Sequence, residues 1–306
     1  MSEGLERVPF FSVIVTSFHA GDRLKNTIEN ILDQECGDLE IVIQDGLSAD
    51  DSVRKLGIFL GAENLAQSAE GQEIILPDKT GEAKIRFLRE KDAGIYDGMN
   101  RAVQRARGRF LYFLNCGDLL HDKEVLSKVR EEICKKEKDP AKDTPAVYYG
   151  NVLEVRSGEE VAANPEMTDY ALFRNIPCHQ ACFYDRRLFE ERAFDLRYRV
   201  RADYEHFLWA HYRAGARMIF LPLLIADYEG GGFSETEEGR RISAKEHREI
   251  TETYMPKELV KKYRRRMLYT LQPLREVLAH APLTKSWYNA LKRRAYGQKI
   301  RNTENP

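Results

Sequence analysis

Strand-length apolar runs alternate with helix-period segments through the first 118 residues, and the last three runs each lead into an aspartate. Residues 11–16 (FSVIVT) are apolar and β-branched, the pattern of a strand buried on both faces. Residues 22–34 follow with Leu24, Ile28, Ile31 and Leu32 on one side of an amphipathic helix. A second strand over 39–44 stops at Asp45-Gly46, a third over 85–88 precedes Asp92, and a fourth over 109–114 stops at Asn115-Cys116-Gly117-Asp118. Such alternation requires parallel strands with right-handed crossovers, so their carboxyl ends gather along one edge. Open α/β sheets bind ligands at that edge. One acid there would read as a turn starter. Three in succession repel unless they meet a cation or accept hydrogen bonds, and so point to a polar-ligand site. Asp118, beside a glycine, is placed to hold a divalent cation that in turn holds a phosphate.

The rest of the chain is less regular. Residues 63–81 break the rhythm and read as a loop, and Gly108 reads as the cap of a helix over 96–107. Asp50 or Asp51 caps a helix ending near Gly61. A charged helix over 122–138, one or two strands over 146–155 and a strand-like ACFY after Pro177 come next. They are followed by a helix over 202–214, a strand pair over 218–227 and a glycine-rich loop over 229–238. The segment 240–301 is helical with breaks at Pro256, Pro273 and Pro282. The expected architecture is an α/β domain over 1–235 and a basic helical extension over 236–306.

Several function classes are excluded. There is no G-x-x-x-x-G-K-[ST] and no G-x-G-x-x-G after a strand, so a cation rather than a glycine-rich helix start must clamp any phosphate. Cys178 and Cys182 flank His179, but no second Cys/His pair completes a structural zinc site. The odd total of five cysteines suits reduced thiols. The start has acids and no basic region ahead of a cleavage site, so no secretory signal is expected and a cytoplasmic location follows. From Lys257 to Pro306 the chain holds 13 Lys+Arg against 3 Asp+Glu, although the whole chain carries a net charge of only −1. Within this tail, 261–268 (KKYRRRML) and then Trp287, Tyr288, Leu291, Lys292, Arg293 and Arg294 mix cations with interfacial aromatics. That composition suits an anionic membrane surface, and equally a solvated pair of helices packed on protein. No nucleic-acid module is recognisable.

The succession FSVIVTSFHAGDRLKNTIENILDQ, LEIVIQDGLSADDS, EKDAGIYDGMNRAVQRARGRFLYFLNCGD, CHQACFY, RADYEHFLW and GGFS resembles the inverting, nucleotide-sugar-dependent glycosyltransferases of family 2. The match runs from Phe10 to Ser234 and resembles the branch that builds bacterial surface polysaccharides, including colanic-acid-type enzymes. The resemblance implies a GT-A fold, a Rossmann-like, mostly parallel sheet flanked by helices. It also implies a nucleotide-sugar donor and a glycan or polyprenyl-linked acceptor. Thr16 and Phe18 match the nucleotide-holding end of the first strand, Asp45 the acid that contacts the base, and Asp92 a donor-site acid with Asp97 and Asn100 beside it. Asn115 and Asp118 match the metal motif, Asp118 as ligand to Mn2+ or Mg2+. Asp203 matches the general base, and His179 with Gln180 the acceptor side. Taken alone, Asp203 reads as an acid favoured by a helix N-terminus.

Two acids usual in the family are absent. Gln44-Asp45 keeps one carboxylate of a pair, and Asn115-Cys116-Gly117-Asp118 keeps only its last acid. The expectation is a transferase whose metal binds weakly without donor. A catalytically silent sugar-nucleotide-binding or scaffold protein is the alternative.

Overall fold

The structure, a computed structural model, describes residues 8–77, 84–137 and 143–269. The chain forms two compact units, Met1–Tyr254 and Met255–Pro306. The first is built on one ten-stranded sheet. In chain order the strands are β1 (Phe11–Ser17), β2 (Leu39–Asp45), β3 (Glu73–Pro77), β4 (Lys84–Arg89) and β5 (Phe110–Phe113). Then come β6 (Leu119–Leu120), β7 (Ala146–Glu154), β8 (Glu159–Val161), β9 (Cys182–Asp185) and β10 (Arg217–Tyr228). The order across the sheet is β3-β4-β2-β1-β5-β9-β7-β10-β6, with β8 beside β7. The pairings set β4, β2, β1, β5, β7 and β10 in one direction and β3, β9 and β6 in the other. The sheet is therefore mostly parallel. Its carboxyl edge also receives the turn that enters β9 from Cys178, because β9 runs downward from that edge.

The helices α1 (Asp22–Leu32), α2 (Ser52–Leu60), α3 (Ile95–Val103) and α4 (Val125–Lys136) link the first strands. Further on are α5 (Asp169–Arg174), α6 (Arg186–Glu191), α7 (Ala202–Tyr212) and α8 (Glu237–Tyr254). Every residue of β2 is buried, the polar Glu40, Gln44 and Asp45 along with the apolar Leu39 and Ile41–Ile43. On α1 the buried Leu24, Ile28 and Ile31 form the expected stripe.

Where pattern and structure differ, the causes are local. Residues 63–81 contain a short 3-10 turn and β3, which pairs antiparallel with β4 at the sheet edge. Residues 218–227 lie within a single strand, not a pair, and register shifts between Phe220 and Ala226, around Pro222, mimic a turn. Gly108 caps no helix, since α3 ends at Val103 with Gln104 as its cap. A side chain at Gly108 would come within 2.4 Å of the Ser12 amide, so glycine is required there for close approach. Its N–H donates to Ser12 Oγ at 2.7 Å and to Glu40 Oε1 at 3.1 Å. Glu40 and Arg86 form an ion pair at 2.9 Å with side chains 1% and 3% exposed. We expect Glu40→Ala to lower unfolding free energy by roughly 3 kcal/mol, because it strands a buried guanidinium. Urea denaturation measures this, and a change below about 1 kcal/mol would mean that Glu73, 3.2 Å from Arg86, compensates.

The second unit contains α9 (Lys257–Tyr269), which carries the KKYRRR run. The expectations for Trp287, Tyr288, Leu291, Lys292, Arg293 and Arg294 lie outside the described residues. No helix among the described residues is long and apolar enough to cross a membrane.

Candidate active site

A cavity of about 690 Å³ opens at the carboxyl edge of the sheet. Asn115, Cys116, Asp118, His179, Gln180, Tyr96 and Asp203 all line it. The strand β5 delivers the 114–118 loop, which Thr27 of α1 holds from below. The Thr27 hydroxyl donates to the Asp118 carbonyl at 3.1 Å and accepts from the Gly117 N–H at 3.1 Å. Gly117 has φ of 106°, and a Cβ there would fall 2.7 Å from Glu229 and 3.1 Å from the Arg23 stem. Asp118 is 5% exposed. Gln180 Nε2 donates to its Oδ2 at 2.7 Å, and the Glu229 N–H donates to Oδ1 at 3.1 Å. Burial pushes this carboxyl above the usual range, only partly offset by those two donors. Asn115 Oδ1 is buried beside it without a hydrogen-bond partner.

Gln180 is itself oriented. The Cys178 thiol donates to its Oε1 at 2.9 Å, which turns the NH2 group toward Asp118. His179, in the 3-10 turn His179–Ala181, packs on Phe113 at 5.1 Å and leaves both ring nitrogens buried without partners. Burial pushes its pKa down, so the ring is neutral. A buried imidazole with unused nitrogens costs free energy unless a ligand supplies the partner.

Asp203 enters from the first turn of α7. That turn is fixed by Glu246 of α8, which accepts from the amides of Arg199, Val200 and Arg201 at 2.8, 3.1 and 2.9 Å. Asp203 Oδ1 accepts from the Tyr96 hydroxyl at 2.9 Å and from the Tyr204 N–H at 2.8 Å. Tyr96, in the first turn of α3 just after the Asp92 loop, therefore links that loop to Asp203.

Of the remaining predicted residues, Thr16, Phe18, Asp45 and Asp92 lie around the loops after β1, β2 and β4. Asp45 is fully buried and accepts from Ser48 Oγ at 2.6 Å and Ser48 N–H at 2.9 Å. Burial pushes its carboxyl up. Ser48 in turn accepts from the His19 N–H at 2.9 Å, so Asp45 ties together the loops after β1 and β2. Both loops hold a non-glycine residue in the left-handed region, His19 at φ 49° and Leu47 at φ 62°, a strain that concentrates at functional sites. Phe18 is 64% exposed and stacks on His19 at 4.1 Å, presenting a flat apolar face. Asp92, its carboxyl raised by burial, accepts from the Gly94 N–H at 3.0 Å. Cβ atoms on Gly46 and Gly98 would lie 2.8 and 3.2 Å from Asp92 Oδ2, and the latter 3.4 Å from Thr16. Thr16, Phe18 and Asp92 thus share one corner.

Asp97 and Asn100 are turned elsewhere. Asp97 accepts from the Ala93 N–H at 2.9 Å and pairs with Arg101 at 3.1 Å. Asn100 exchanges two 2.9 Å hydrogen bonds with the Phe194 backbone. Sequence reasoning missed Cys178, Ser48 and Glu246, whose polar atoms act on other site residues. Nothing in their local pattern marks them.

A family model described as "Glycosyl transferase family 2" matches residues 12–221. The PGL/p-HBAD biosynthesis glycosyltransferase of Mycobacterium bovis (strain BCG / Pasteur 1173P2) is 33% identical over 230 residues, 74% of this chain and 80% of that protein. Residues 1–349 of S. aureus TarS, solved in complex with UDP-GlcNAc, superpose with TM-score 0.57 at 16% identity, covering 85% of this chain and 72% of that one. The mannosyltransferase PcManGT from Pyrobaculum calidifontis, solved in complex with GDP-Man and Mn2+, gives TM-score 0.52 at 16% identity, covering 92% and 84%. The two structures share the fold, which is of the GT-A type. This chain belongs to glycosyl transferase family 2 and is a glycosyltransferase.

Proposed function

We propose that the protein moves a sugar, with inversion, from a nucleoside diphosphate to a hydroxyl of a glycan or lipid-linked acceptor in surface-glycan assembly. The observation that carries this reading is that Asp118 and Asp203 line one cavity, while Thr16, Phe18 and Asp92 share a separate corner that does not line it. In this reading Phe18 packs on the nucleoside, Asp45 and Asp92 shape its pocket, and the diphosphate lies toward Asp118. Asp203 accepts the proton of the attacking hydroxyl as its oxygen bonds to the anomeric carbon. The bond to the diphosphate breaks on the opposite face, and its electron pair leaves with the phosphate. His179 offers an unused imidazole to an acceptor hydroxyl.

A divalent cation fits the residues present. Asp118 keeps a free lone pair on each oxygen, and Asn115 Oδ1 is an unpartnered hard donor beside it. No group of three His, Cys, Asp or Glu side chains among the described residues forms a ready cage. The other ligands would be donor phosphate oxygens and water. When bound, the cation neutralises charge on the leaving diphosphate. Thermal shift tests this reading with UDP-GlcNAc or GDP-mannose, each with and without MnCl2. The expected result is a rise in Tm for donor plus Mn2+ that exceeds the two separate effects together, with little from Mn2+ alone. No response to any donor, and no transfer or hydrolysis with Mn2+, would overturn it.

The basic tail belongs to the same reading as a contact to an anionic membrane surface near the acceptor. The full chain is expected to float with anionic liposomes and to detach as salt rises. Salt-insensitive or absent flotation would remove that contact.

A further inference from the structure

Asp203 has one oxygen occupied and one open. Its Oδ1 accepts from Tyr96 and from the Tyr204 amide, whereas no protein donor among the described residues is bonded to Oδ2. Tyr96 has a second acceptor at the same reach, the Val200 carbonyl oxygen at 2.9 Å. A phenol has one proton and can satisfy only one of these at a time. Glu246 fixes the Val200 amide, so this carbonyl sits on a braced turn.

We propose that Tyr96 is a positioning residue for Asp203, its hydroxyl holding Oδ1 while Oδ2 takes the proton and then turning to the Val200 carbonyl. The idea rests on Asp203 being the proton acceptor. In the resting site the phenol stabilises the carboxylate. As the acceptor hydroxyl gives its proton to Oδ2, Oδ1 becomes a weaker acceptor and the phenolic O–H rotates to Val200. The Tyr96 proton stays on Tyr96 throughout. Neither acceptor has to move, which is the pre-organisation that lowers a charge-transfer barrier. Burial and the Asp203 charge hold the Tyr96 phenol well above its usual range, so it remains a donor.

Other groups around Asp203 do not replace it. His179 and, from the strand side, Cys178, Cys182 and Tyr184 feel its charge, but burial keeps each of them neutral. Glu246 of α8, which also acts on Tyr96 electrostatically, is engaged by the three amides. Arg201, the residue before α7, directs its guanidinium to Ser243 and Asn175.

The test is Tyr96→Phe, which keeps the ring on Phe194 at 5.3 Å. Loss of the group that orients Asp203 lowers kcat by about 10- to 100-fold, the cost of misplacing a reacting group. The acid limb of the kcat–pH profile should move up by about one unit, while Kd for UDP and GDP stays unchanged. A second variant carries 3-fluorotyrosine at position 96, a stronger donor of nearly the same shape, and moves that limb down. A merely structural tyrosine predicts the wild-type pH profile in both, and that outcome overturns the proposal. Retained turnover in Asp203→Asn would instead overturn the proton-acceptor reading beneath it.

Discussion

Replacing Asp203 with asparagine is expected to lower kcat by roughly 10²- to 10⁴-fold, the range that positioned proton acceptors contribute, and to leave nucleotide affinity intact. The substitution is nearly isosteric. An asparagine Oδ1 still accepts from the Tyr96 hydroxyl and the Tyr204 amide, so the turn that Glu246 braces is preserved. What disappears is the basic oxygen that faces the acceptor. Single-turnover assays with saturating donor separate the two effects. Turnover within a few-fold of wild type would remove Asp203 from the chemistry.

Asp118→Asn is expected to act on the other half of the reaction. Burial holds the Asp118 carboxyl above its ordinary range, so its ionised form is disfavoured in the folded state. The sign follows directly. Stability from this group is greatest when it is protonated at low pH and declines as pH rises through the folded value. A neutral amide avoids that cost but sets its NH2 against the Gln180 or the Glu229 donor, so the two effects oppose and Tm at neutral pH should change little. Activity should fall by about 10²- to 10³-fold, as when one pre-organised stabiliser of developing charge is removed. The response of Tm to donor plus Mn2+ should vanish as well. A marked drop in Tm would instead make Asp118 a structural acid.

Much of this was legible in the sequence because β1, β2, β4 and β5 are short, centred on apolar residues and parallel, and parallel strands dictate where the next loop emerges. That rule alone brings Asp45, Asp92 and Asp118 to one edge. It does not say which way a carboxylate turns. Asp45 faces inward to Ser48, and Asp97 faces Arg101, because neighbouring donors decide orientation after the backbone has placed the residue. Placement of His179 and Gln180 depends on β9 running antiparallel, which no local period reveals. Helices α5 and α6 span six residues each, too few to show a helical repeat. The bond of Tyr96 to Asp203 joins two segments that meet only in the fold.

The account turns on Asp118 and Asp203 serving one bound donor. The most direct measurement is a crystal structure of the Asp203→Asn variant grown with MnCl2 and an intact nucleotide-sugar. The account predicts the diphosphate against Asp118 and the anomeric carbon presented toward position 203, with space between for a hydroxyl. A diphosphate seated away from Asp118, or a sugar turned from position 203, would contradict it.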